Sequence, residues 1–93
     1  MKEPLRPDEA RRLIRQILTK GVVSPSGHAC REMANDALDL SDCLNVLRAG
    51  VVEEAELCKG TWRYRMRTSR IVVVVAFRGE AHLRIVTAWR ARP

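Results

Sequence analysis

Residues 61–89 read T-W-R-Y-R-M-R-T-S-R-I-V-V-V-V-A-F-R-G-E-A-H-L-R-I-V-T-A-W, and the fold turns on this stretch. Trp62, Tyr64 and Met66 alternate with Arg63, Arg65 and Arg67. Successive side chains of a strand leave on opposite faces, so this period of two predicts one face of large apolar groups and one of guanidiniums. Ile71–Phe77 follows as seven apolar residues without a break, the mark of a central strand covered on both faces. Thr68-Ser69-Arg70 reads as a tight connection between the two, and Arg78-Gly79-Glu80 leads to a last strand, His82–Trp89. The stretch therefore predicts an antiparallel meander with a basic face.

Register decides which groups share that face. A two-residue turn at Ser69-Arg70 pairs Met66 with Val73 and Tyr64 with Val75, and sets Arg63, Arg65 and Arg67 over Val72, Val74 and Ala76. For the last strand an odd-length loop at Gly79 puts Leu83, Ile85, Thr87 and Trp89 in the core and Arg84 and Arg90 among the arginines. An even-length loop reverses this and brings Thr87 beside Arg65. The hydrophobic pattern favours the odd loop.

Upstream the period changes. After Pro7-Asp8-Glu9, a helix-starting sequence, Ala10, Leu13, Ile14, Ile17 and Leu18 recur at helical spacing up to Lys20, with Arg11, Arg12 and Arg15 on a solvated side and Gly21 as the cap. Val22–Ser24 is a short extended piece and Pro25-Ser26-Gly27 a turn. His28–Ala37 predicts a second helix with Ala29, Cys30, Met33, Ala34 and Ala37 inward and His28, Glu32 and Asp36 as a polar stripe. Ser41 caps a third, Asp42–Ala49, burying Cys43, Leu44, Val46 and Leu47; Gly50 closes it, and Val51–Leu57 is a weak, acid-rich edge strand. The expected fold is α+β: two or three N-terminal helices packed on one face of a three- to four-stranded antiparallel sheet. Its 93 residues suit a single domain, divided into an N-terminal helix (1–21), a His-containing helical pair (22–50) and the sheet (51–90).

Charge is segregated along the chain. Residues 1–60 hold nine Lys or Arg against ten Asp or Glu, whereas residues 61–93 hold eight arginines against Glu80 alone. Such asymmetry points to an anionic partner for the last third, and a planar guanidinium fork suits phosphate or carboxylate. The competing reading is compositional, a chain that simply uses arginine as its surface cation. No apolar run reaches membrane-spanning length, no secretory h-region opens the chain, and three scattered cysteines form no disulfide framework. A cytoplasmic protein with no membrane partner is the expectation.

Three chemistries suit these residues. A histidine beside a row of arginines could cleave RNA through its own 2′-hydroxyl, with His28 and Glu32 as acid/base candidates and no metal or cofactor required. A metal site at His28, Glu32 and Cys30 is disfavoured, because Cys30 leaves the helix about 200° from His28 by helical periodicity. Binding of single-stranded nucleic acid without turnover is the third.

The segments S-G-H-A-C-R-E-M-A-N-D-A-L-D-L-S-D-C-L-N-V-L-R-A-G-V-V, G-T-W-R-Y-R-M-R-T and I-V-T-A-W-R resemble a family of small bacterial domains of unassigned function. These are grouped with the MqsR and RelE type toxins in the barnase–EndoU–colicin–RelE superfamily. The resemblance covers about residues 22–90. It implies a RelE/MqsR-like fold and a metal-independent endoribonuclease, a hydrolase of the mRNA interferase type in a bacterial toxin–antitoxin system. Its partners would be RNA and an antitoxin of the zinc-finger or helix-turn-helix kind. Carried over, the marked positions are His28, Arg63, Arg65 and Thr87, with Arg67 and Arg84 extending the phosphate-binding row. Many relatives carry arginine where this chain has Glu32; here the arginine is Arg31.

Overall fold

Ile71–Phe77 lies in the middle of the sheet in a computed structural model of the protein, which describes residues 1–92. The elements run α1 (Pro7–Lys20), β1 (Val22–Pro25), α2 (Gly27–Asn35), α3 (Leu40–Ala49), β2 (Val51–Val52), β3 (Glu56–Cys58), β4 (Thr61–Arg67), β5 (Ile71–Phe77) and β6 (His82–Arg90). The sheet order is β1-β6-β5-β4-β2, with β3 also on β4. Ala10, Ile14 and Ile17 of α1, Ala29 and Met33 of α2 and Cys43, Val46 and Leu47 of α3 share one core with Tyr64, Met66, Val73, Val75, Phe77, Leu83, Ile85 and Ala88. This is an α+β fold with its three helices on one sheet face.

The sheet is wider than a three- to four-stranded meander and it is mixed, because β1 pairs in parallel with β6, Val23 beside Leu83. Four residues carry too little periodicity to announce a strand; β1 exists because β6 leaves an edge that the chain crosses on leaving α1. The expected single strand 51–57 is two short ones on the outer edge of β4. Val52 faces Met66 and Leu57 faces Trp62, so one extra residue is accommodated between β2 and β3. Their connection holds with a Glu53 N–H to Arg65 carbonyl bond of 2.9 Å.

The helices show smaller departures. α2 stops at Asn35, and Ala37 has a positive φ of 54°. Cys30 and Ala34, expected inside, are exposed, because α2 lies along the margin of β6 and buries only the Ala29/Met33 stripe. Asp39, not Ser41, caps α3 through a reciprocal box with Asp42, both bonds 2.9 Å. Arg11 is half-buried rather than freely solvated: its Nη1 donates to the Gly50 carbonyl at 2.9 Å. A Cβ on Gly50 would stand 2.6 Å from the Val46 carbonyl oxygen, so the α3–β2 junction needs glycine for close approach. No helix is long and apolar enough to cross a membrane among the described residues.

Tyr64 is fully buried and ties the N-terminal segment to the core. Its hydroxyl donates to Glu3 Oε2 and accepts from the Leu5 N–H, both at 2.9 Å. Burial, reinforced by the Glu3 carboxylate, pushes its pKa up to about 12. A raised folded-state value stabilises the fold below the ordinary tyrosine pKa of 10.0, and that contribution fades as pH rises through about 12. Phenolate absorbance of this lone tyrosine should therefore lag the unfolded chain's in an alkaline titration. Tyr64→Phe should cost about 0.5–1.5 kcal/mol in urea unfolding; unchanged stability would refute the tie.

Cys43 is likewise buried, and desolvation, followed by the charges of Asp42 and Asp39, pushes its thiol up to about 11. Cys30 is exposed and Cys58 half-buried. A thiol reagent should modify these two readily and Cys43 only on unfolding; equal rates at all three sites would contradict this packing.

Candidate phosphate-binding site on the open sheet face

β4 and β5 pair in the register expected, Tyr64 with Val75, Arg65 with Val74 and Met66 with Val73. Tyr64 and Met66 enter the core, and Trp62 packs against its edge. Arg63, Arg65 and Arg67 stand on the other face. There Val72, Val74 and Ala76 are at most 8% exposed although no helix covers them. Their cross-strand neighbours on that face are Arg65, Arg67, Arg84, Thr87 and Trp89, whose long side chains are able to shield them.

β6 contains the feature that periodicity could not resolve. Phe77, Ala76 and Val75 face Leu83, Arg84 and Ile85, the odd-loop register; Val74, Val73 and Val72 face Thr87, Ala88 and Trp89, the even-loop one. Val86 is the extra residue of a β-bulge, so each alternative holds for half the strand. Leu83, Ile85 and Ala88 are fully buried, while Thr87 and Trp89 pass to the open face. The assignment of Thr87 and Trp89 to the core is thereby overturned.

The bulge has an anchor. Ser26, at the N-cap of α2, donates from its N–H to the Ile85 carbonyl at 2.9 Å and from its hydroxyl to the Val86 carbonyl at 3.1 Å. Two consecutive carbonyls are thus satisfied on one side, as regular pairing does not permit. The same hydroxyl accepts from the Ala29 N–H at 3.0 Å, so the helix start and the bulge are fastened together.

Across β5, Arg65, Val74 and Thr87 form one row. Around it a cavity of about 180 Å³ is lined by Glu56, Cys58, Arg63, Arg65, Val74, Thr87 and Trp89. Glu56 reaches it because it pairs with Arg63, and Cys58 because it pairs with Thr61. The Arg65 guanidinium carbon lies 5.6 Å from the Trp89 ring centroid, a cation–π contact. Nε of Arg63, Arg65 and Arg84 is buried and bonds no acceptor among the described residues. Those Nε atoms are covered and face no solvent, so an incoming anion would meet the outer amino groups of the guanidiniums, whose charge and planar fork suit phosphate. A cavity of this size admits small anionic or flat groups and is well short of a cofactor pocket.

Not every expected residue joins it. Arg67 is ion-paired with Glu53. Arg84 lies on the same face beside Ala76 but does not line the cavity. Arg90, expected among the arginines, turns instead to the end of α2, donating to the Asp36 and Ala37 carbonyls at 2.8 and 3.0 Å, because the bulge changes its face. His28 and Glu32 are not lining residues either; His28 Nε2 lies 3.9 Å from Glu32 Oε1 on the solvent side of α2, with His28 58% exposed. Both stand on the helix whose start is fixed to the bulge. Glu56, Cys58 and Trp89 were missed as site residues. Glu56 and Cys58 reach the cavity from β3, next to the arginine strand, and Trp89 from β6 across β5, pairings visible only in the fold.

No curated protein and no solved structure gives a match to the chain. Residues 26–90 match a family described as a domain of unknown function, DUF4258, and the matched span runs from the Ser26 cap to the end of β6; the chain belongs to this family.

Proposed function

We propose that this chain is a toxin-like, metal-independent endoribonuclease whose site is the cavity on the open sheet face. The observation that carries the reading is the convergence of two guanidiniums, Arg63 and Arg65, on a cavity also lined by the Glu56 carboxylate and the Thr87 hydroxyl. The two guanidiniums bind the non-bridging oxygens of an RNA phosphodiester and stabilise the charge of the phosphorane. Glu56 accepts the proton of the 2′-hydroxyl as its oxygen attacks phosphorus, and Thr87 donates a hydrogen bond to the phosphate. The bond to the 5′-oxygen breaks, leaving a 2′,3′-cyclic phosphate, and the departing oxygen takes its proton from solvent water, since His28 and Glu32 stand outside the cavity. RNA is the substrate, and an antitoxin of zinc-finger or helix-turn-helix type is the partner that covers the arginine row.

A second reading, a non-catalytic module that binds RNA or an acidic protein on its basic face, is favoured by one observation: no histidine lines the cavity. Incubation of the purified protein with single-stranded RNA in EDTA separates the two. Cleavage to cyclic phosphate ends, lost in Glu56→Gln and strongly reduced in Arg65→Ala, is the expected result. Intact RNA at high protein concentration, with salt-sensitive binding retained in His28→Ala, would leave only the module.

A further inference from the structure

The cavity carries aromatic as well as ionic chemistry. Of the chain's two tryptophans, one tyrosine and one phenylalanine, Trp62, Tyr64 and Phe77 belong to the core side of the sheet. Trp89 alone stands on the open face, beside Val72 and facing the cavity. The bulge at Val86 put it there, while the small Ala88 took the fully buried position next to it. Burial of apolar surface by itself would favour the reverse arrangement. The Arg65 guanidinium, a second flat group, lies over the Trp89 ring at 5.6 Å from its centroid, and Val74, paired with Arg65, lines the same cavity. A guanidinium lying over an aromatic ring, in a cavity that Arg63 also lines, matches a base and its phosphate on one strand.

We infer that Trp89 and Arg65 form a stacking subsite for one unpaired nucleobase, next to the phosphate held by Arg63 and Arg65. The site is thereby selective for single-stranded RNA over duplex RNA and over isolated phosphate. This rests on the RNA-directed reading above and names the part of the substrate that it recognises. A duplex cannot use the subsite, because its bases are already stacked on one another and its faces are closed.

Trp62→Phe leaves Trp89 as the sole tryptophan and thus a direct reporter. The probes are a short 2′-O-methylated oligonucleotide, which lacks the attacking hydroxyl and stays intact, the same backbone without bases, and the oligonucleotide annealed to its complement. The single strand should quench Trp89 emission, and the abasic backbone should bind on the order of tenfold more weakly without quenching. In the otherwise native chain, Trp89→Ala should lose a similar factor for the base-bearing strand and nothing for the abasic one, while Trp89→Phe retains most of the affinity. Equal affinity for the base-bearing and abasic strands, or equal losses for both in Trp89→Ala, would overturn the subsite and leave phosphate binding standing. No binding of any strand would overturn the RNA-directed reading itself.

Discussion

Arg65→Ala should lower RNA cleavage by about 10²–10³-fold, the loss expected on removing a preorganised donor to a developing oxyanion. It should also weaken RNA binding at every sequence and reduce the slope of log affinity against log salt by about one. Arg65 lines the cavity, pairs with Val74, lies over Trp89 and has a buried Nε without a partner among the described residues. Loss of its stem also uncovers apolar surface, so a thermal melt must accompany the kinetics. Arg48→Ala is the control, since Arg48 is an exposed cation of α3 whose Nη1 is bonded to Asn45 at 3.2 Å. Equal losses in the two variants would mean diffuse electrostatics, and an unchanged salt slope in Arg65→Ala would refute its contact with phosphate.

Ala88→Asp should unfold the protein, whereas Thr87→Asp should leave it folded and abolish anion binding. Ala88 is 0% exposed among core side chains and offers a carboxylate no partner. A buried unpaired charge costs several kcal/mol, a large part of the roughly 5–15 kcal/mol that holds a domain together. Thr87 points into the cavity, where an aspartate is solvated but repels phosphate beside Arg63 and Arg65. A regular β6 predicts the opposite pair of phenotypes, with residue 87 facing Val73 in the core and residue 88 outside. Circular dichroism of the two variants therefore reads the bulge directly. A folded Ala88→Asp beside an unfolded Thr87→Asp would refute it.

Much of the architecture follows from local pattern. The W-R-Y-R-M-R alternation and the I-V-V-V-V-A-F run set the β4–β5 register residue for residue, because one misstep would have exchanged Tyr64 and Met66 for arginines in the core. The apolar stripe of α1 set its buried face in the same way. The narrow burial of α2 was not legible, since alanines and a cysteine suit either a core or a surface, and only the placement of α2 against β6 selects Ala29 and Met33.

The candidate site divides along the same line. Arg63 and Arg65 were legible as a row because period two is a local property of one strand. Glu56, Cys58 and Trp89 were not, because they reach the cavity through strand pairings and a bulge. By itself the sequence determined the α+β class, the arginine face and the central strand. Which side Thr87 and Trp89 occupy was decided by tertiary structure alone: Ser26, about sixty residues upstream, binds the consecutive carbonyls of Ile85 and Val86. That contact shifts the register at Val86, and the parity of a strand beyond a bulge depends on the partner that stabilises it.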